Sequence, residues 1–195
     1  MNIIIYDLEI IKAIPNRDGS TEPGIEYCGG WQDHTNMGIS VNCAYDYQEN
    51  RWRVFTEDNK DEWAELLERK PVCVGFNSIP FDNSVLSATE WATPDEDICY
   101  DILRELWVAS GLEWEFAYPS HAGFGLDATC KANGMPGKTG NGALAPLMWQ
   151  RGQIGKVIDY CLTDIHRTKL LVDRIRDAGG LYSPKDGNWL AMRGI

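Results

Sequence analysis

The chain begins with an apolar run, Ile3-Ile4-Ile5-Tyr6, that continues as Asp7-Leu8-Glu9-Ile10. β-Branched residues in series predict a strand buried on both faces. Residues 11–36 then mix Pro, Gly, Asn and Asp without a helical period, which predicts a long loop or irregular hairpin. Alternation returns over residues 37–45, and Arg51-Trp52-Arg53-Val54-Phe55 follows a short polar turn, so the first three strands are expected to form an antiparallel meander. Residues 57–70 start rich in acids and place Trp63, Leu66 and Leu67 at helical spacing. A second short buried strand is expected over residues 72–76.

Further along, residues 80–91 fit a helix, while residues 98–107 fit a helix or a strand. Over residues 112–118, Leu112, Trp114, Phe116 and Tyr118 share one side of a period-two pattern, which predicts a ribbon with a packed aromatic face, base stacking being the alternative. A short helix closed by Gly134, a Gly-rich loop and another helical turn or two at 143–152 come next. The clearest helix spans about 154–177, where Val157, Ile158, Cys161, Leu162, Ile165, Leu171, Val172 and Ile175 form a stripe ending before Gly179-Gly180. Internal repeats and low-complexity tracts are absent. Strands first, then alternating strand and helix, with a long last helix, imply a mixed-sheet α/β domain.

Composition narrows the class. A chain of 195 residues with 44% hydrophobic content supports one good core, so residues 1–195 are expected to form a single domain. Six scattered cysteines without a C-x-x-C pair, and no basic region before the first apolar run, predict a reduced, intracellular or cytoplasmic protein lacking a signal peptide and structural zinc. No apolar stretch approaches a membrane span, so no membrane partner is expected. The net charge of −11 argues at first against a nucleic-acid partner. Its distribution weakens that exclusion: residues 1–120 carry 8 basic and 23 acidic groups, whereas residues 121–195 carry 10 and 6. Lys131, Lys138, Arg151, Lys156, Arg167, Lys169, Arg174 and Arg176 belong to this basic surplus, which is either a binding face or an ordinary mixed surface.

Candidate chemistry starts with Asp7 and Glu9. Two positions apart on a strand, they point the same way, and two carboxylates held together need raised pKa values or a cation; the alternative is a strand that ends at Asp7 with both acids solvated. Asn77, Phe81 and Asp82 lie just beyond the second buried strand, where open α/β sheets gather ligands, although Asp82 also suits a helix cap. Tyr160 and Asp164, four apart, share a face of the last helix.

Taken in order, Asp-x-Glu, Asn-x-x-x-Phe-Asp and Tyr-x-x-x-Asp resemble the DEDD proofreading 3′-5′ exonuclease family over residues 5–165. The resemblance is to the tyrosine branch: the histidine branch has His five residues before the last acid, where this chain has Asp159. It implies a ribonuclease H-like fold, a mixed five-stranded sheet with its first three strands antiparallel, flanked by helices. It also implies two divalent cations, Mg²⁺ or Mn²⁺, suited to a set of oxygen ligands without His or Cys. By resemblance, Asp7 bridges both ions, Glu9 and Asp164 hold the one that activates water, and Asp82 supports the other. Tyr160 orients the attacking water, and Glu9 also meets the terminal 3′-hydroxyl. Leu8, Asn77, Phe81 and Lys138 are candidate substrate contacts.

The implied activity is removal of nucleotides from the 3′ end of single-stranded nucleic acid, DNA favoured over RNA, with a polymerase or helicase as possible partner. The rivals are a catalytically silent ribonuclease H-like binding module and a structure-specific endonuclease of the same fold. Residues 132–139 fit a relaxed phosphate-loop pattern, but a helix-like segment precedes them where such a loop needs a strand. His34, His121 and His166 are scattered and receive no role.

Overall fold

A computed structural model describes residues 1–137, 140 and 142–195. The elements in chain order are β1 (Ile3–Ile10), α1 (His34–Met37), β2 (Ile39–Asp46), β3 (Arg51–Phe55), α2 (Lys60–Glu68), β4 (Val72–Gly75) and α3 (Asp82–Ala88). They continue with β5 (Cys99–Asp101), α4 (Ile102–Ala109), α5 (Leu126–Ala132), α6 (Ala145–Gln150), α7 (Ile154–Ala178), β6 (Gly180–Tyr182) and β7 (Trp189–Ala191). Five strands form one mixed sheet in the order β3-β2-β1-β4-β5. β1 and β2 are antiparallel, as are β2 and β3, whereas β4 runs parallel to β1 and β5 parallel to β4. This is the α/β arrangement of a ribonuclease H-like exonuclease fold.

β1 shows why the sheet is double-sided. Ile3 and Ile5 join the core beneath α7, while Ile4, Tyr6, Leu8 and Ile10 join a second core with Trp63 of α2 and Val85 and Leu86 of α3. Strand side chains alternate, so one strand feeds both cores, and Asp7 and Glu9 fall on the α7 side. Pairing with β4 covers only Ile3 to Ile5, opposite Val72 to Val74. Both acids therefore project past the end of that pairing, at the carboxyl ends of the parallel strands.

The stretch at 98–107 is both strand and helix. Asp101 ends β5 and caps α4, its carboxylate accepting the Leu103 N–H at 3.0 Å. The ribbon expected over 112–118 is absent. Residues 112–118 take no strand partner, and Phe116 and Tyr118 stand 61% and 82% exposed. The period-two aromatic spacing reflects a loop that lays Trp114 under the Arg104 guanidinium, 5.2 Å from the ring centre, and Phe116 against Trp107. The hairpin of β6 and β7 has no counterpart in the sequence reading; its strands are three residues each, too short for a pattern to show. α7 ends as expected, with Gly179 in the left-handed conformation at φ 78°.

Among the described residues, several of the basic surplus are already buried or paired. Arg167 is buried at 2% exposure, and Lys131, Arg151 and Lys169 are paired with Asp127, Glu22 and Asp173. No helix among the described residues is long and apolar enough to cross a membrane.

Candidate active site

Three elements carry the acidic cluster. β1 supplies Asp7 and Glu9, the start of α3 supplies Asp82, and α7 supplies Tyr160 and Asp164. Asp82 is buried, and its Oδ1 accepts the Leu8 N–H at 3.1 Å, which ties α3 to the strand midway between the two β1 acids. α7 is fixed over the same strand by Cys161, whose thiol donates to the Asp7 carbonyl at 3.2 Å and lies 3.6 Å from Asp7 Oδ2. Tyr160 and Asp164 flank that anchor. The Tyr160 phenol lies near Asp164 and Glu9, and its pKa is raised, first by burial and then by those two acids.

The electrostatics register the crowding. Glu9 is pushed well above the ordinary carboxylate range by burial first and then by Asp7, Asp164 and Asp82. Asp82 is likewise raised, by burial and by Asp7, with the Leu8 N–H opposing. Both carry the signature of like charges gathered in a poorly solvated place. The alternative of solvated acids at the strand mouth fails for Glu9, which is 9% exposed.

Among the described residues, no three Asp, Glu, His or Cys side chains converge as direct ligands of one ion. The donor set still fits a hard divalent cation, because Mg²⁺ takes one or two carboxylates and completes its shell with water and substrate phosphate. Asp7, Glu9, Asp82 and Asp164 supply only oxygen, and a cation would offset the repulsion that raises Glu9 and Asp82.

A pH effect follows. A carboxyl whose folded pKa is raised keeps a proton that the unfolded chain has lost, so its contribution to stability falls as pH climbs above about 4 and through the raised value. In chelator, the melting temperature should therefore drop between pH 5 and 8, and Glu9→Gln should flatten the slope. Saturating Mg²⁺ at about 100 times Kd should restore about 2.7 kcal/mol, roughly 5–10 °C for a chain of this size. Thermal melts with EDTA and with Mg²⁺ across that range measure both; a pH-independent, Mg²⁺-insensitive melting temperature would count against a cation site.

Of the other candidates, Leu8 is buried in the second core and borders a cavity of about 460 Å³ that Glu9 also lines. Phe81 lines both that cavity and a larger neighbour, and Asn77 lines the larger one. Lys138 and Thr139 lie outside the described residues; the phosphate-loop pattern that they close follows a helix, α5, where such a loop needs a strand.

Asp101 and Gly140 were not singled out from the sequence, and Arg167 entered only as one of the basic surplus. Asp101 is fully buried and accepts the Asn77 N–H at 2.9 Å and the Ile79 N–H at 3.1 Å, holding Asn77 at φ 65° and shaping the loop that delivers Asp82. Arg167 donates to Asp164 Oδ1 at 2.9 Å and Asp127 Oδ1 at 3.2 Å, orienting the last acid from one side. Gly140 lies so close to the Tyr160 ring that an added Cβ would stand 3.1 Å from it. Arg167 carried a signal, since it lies three residues after Asp164 on one helix face. Asp101 and Gly140 carried none, because their partners are remote in sequence.

Fold and acidic cluster together form a buried acidic site at the end of a ribonuclease H-like sheet. In the comparison with protein families, a model described as a predicted 3′-5′ exonuclease related to the exonuclease domain of PolB matches residues 114–187. The matched stretch contains α5, α6 and α7 with Tyr160 and Asp164, and leaves Asp7, Glu9 and Asp82 outside. It supports an exonuclease family and nuclease activity for this chain, and exonuclease domains of this type generally use divalent metals. No curated protein matches the sequence.

Proposed function

We propose that the protein is a metal-dependent 3′-5′ exonuclease of the tyrosine DEDD branch that degrades single-stranded nucleic acid, with DNA favoured. One observation carries the reading: Asp7, Glu9, Asp82 and Asp164, from β1, α3 and α7, lie near enough for burial and neighbouring acids to hold Glu9 and Asp82 above the ordinary carboxylate range, with the Tyr160 phenol beside them. Asp7, Glu9, Asp82 and Asp164 would hold two divalent cations. When bound, these ions would neutralise the scissile phosphate, lower the pKa of water and stabilise the leaving oxygen.

The chain's own groups do the rest. Asp7, on β1 and in contact with Cys161 of α7, is the first charged neighbour of both Glu9 and Asp82, so one carboxylate would serve both ions. Asp164 is steadied by Arg167, which donates to its Oδ1, and would offer its other oxygen to a cation. The Tyr160 hydroxyl keeps its proton, since burial and neighbouring acids raise its pKa, so its role is to orient the attacking water and not to act as a base. Tyr160→Phe should slow turnover about 100-fold while leaving the Mg²⁺-induced gain in melting temperature intact; an unchanged rate would remove the phenol from the mechanism.

The deciding experiment is a 5′-labelled oligonucleotide with Mg²⁺. A ladder shortening from the 3′ end supports the proposal, a single internal cut points to the endonuclease reading, and intact substrate points to a binding module. Matched DNA and RNA strands separate the two sugar chemistries.

A further inference from the structure

The Arg167 guanidinium lies beside Asp164 in a place where water barely screens its charge. A buried guanidinium with one carboxylate as its counter-charge would hold Asp164 in a closed ion pair and compete with a cation for it. The charge is divided instead. Nη1 donates to Asp164 Oδ1 at 2.9 Å and Nη2 to Asp127 Oδ1 at 3.2 Å, so the fork is shared between a carboxylate on α7 and one on α5. Asp127 stands in the first turn of α5, and its Oδ2 meets Lys131 Nζ one helical turn on, at 2.6 Å. An acid at a helix start with a lysine four residues on is ordinary surface chemistry. What sets Asp127 apart is that its other oxygen faces a buried arginine. The contacts therefore run from Asp164 through Arg167 and Asp127 to Lys131, out of the acidic cluster to the rim of α5, where the Asp127 side chain is 35% exposed. The backbone after α5 comes close to the outer end: a Cβ at Gly137 would stand 2.8 Å from Lys131 Cε and 3.3 Å from Asp127 Oδ1, so glycine leaves room for the pair.

We propose that Asp127 is a positioning residue for the metal site: by sharing the Arg167 charge, it keeps Asp164 open to a divalent cation. The proposal rests on the nuclease reading above and deepens it, because it gives α5 a control over cation affinity that lies outside the four acids. Without the Asp127 charge, Arg167 leans on Asp164, and the tightened pair withholds that carboxylate from the cation.

Binding of Mn²⁺ to the full chain, without nucleic acid, is read from the loss of the free-ion electron paramagnetic resonance signal. Asp127→Asn, which keeps an acceptor oxygen and loses the charge, should weaken binding roughly tenfold, within the range for coupled members of one ion-pair network. Loss of a negative charge anywhere near a cation site also weakens binding, and a second background separates the two causes. In Arg167→Gln, adding Asp127→Asn should change the affinity by less than about twofold. A weakening of more than about twofold that carries over into Arg167→Gln, or no weakening in Asp127→Asn alone, overturns the proposal. If Arg167→Gln fails to fold, Arg167→Lys replaces it under the same criterion, since an ammonium lacks the fork that spans two carboxylates. Cleavage of the 5′-labelled strand by the unmodified chain is scored separately. Cleavage without this coupling removes the role of Asp127 alone, whereas coupling without cleavage keeps that role and removes the nuclease reading. An unmodified chain that binds no Mn²⁺ removes both.

Discussion

Asp7→Asn is expected to abolish hydrolysis, with a loss of about 10³-fold or more in kcat, while leaving the melting temperature in chelator unchanged or raised. The two halves have one cause. Asp7 sits between the carboxylates of β1, α3 and α7, and it is the first charged neighbour raising both Glu9 and Asp82. Replacing it by an isosteric amide removes repulsion from the folded state and removes the ligand proposed to serve both cations. Metal-assisted charge stabilisation is worth several kcal/mol, and each 1.36 kcal/mol is tenfold in rate. The check pairs single-turnover digestion of a labelled strand with thermal melts, with and without Mg²⁺. In the variant, the Mg²⁺-induced rise should shrink along with activity. Near-normal turnover would refute the bridging assignment, and a collapse of the melting temperature would mean that Asp7 is structural.

Asp101→Ala should behave in the opposite way, with stability lost first and activity as a consequence. Its fully buried carboxylate accepts the N–H groups of Asn77, Ile79 and Leu103, which are themselves part-buried. Truncation strands three donors at about 1–3 kcal/mol each and removes a helix cap, an expected loss of about 3–5 kcal/mol after partial relaxation. At roughly 2–4 °C per kcal/mol, the melting temperature should fall by about 10 °C or more. Asp101→Asn should lose about half as much, because the amide oxygen still accepts Asn77 and Leu103 while its NH₂ faces Ile79. Because the same loop delivers Asp82, digestion should weaken even below the melting transition. Denaturant melts of the pair measure this, and equal stability of the two variants would show that the oxygens are not acting as acceptors.

These two aspartates also mark how much was legible beforehand. Asp7 could be found because a charge interrupting a β-branched run is conspicuous, and the spacing of Asp7 and Glu9 fixes a shared face. The meander, α2, β4, α5 and α7 were likewise written in local periodicity. Asp101 was invisible: it sits where residues 98–107 change from strand to helix, and the ambiguity of that segment was the trace of a boundary. The loop at 112–118 misled for a related reason. Alternating aromatics mean a strand only if a neighbouring strand takes up the backbone hydrogen bonds, and here the spacing serves contacts with Arg104 and Trp107 instead. Basic residues summed along the sequence gave an excess in the last third, but folding buries Arg167 and pairs several others with acids nearby.

The triple isoleucine of β1 looks redundant, as though one residue could be dropped without harm. Because its odd and even positions feed separate cores, deleting any one of Ile3, Ile4 or Ile5 would shift the reading of the strand by one place against its neighbours. Either the remaining isoleucines would trade cores, or Asp7 and Glu9 would rotate into the apolar side occupied by Trp63. Substitution at these positions costs a methyl group or two, whereas deletion costs the whole site.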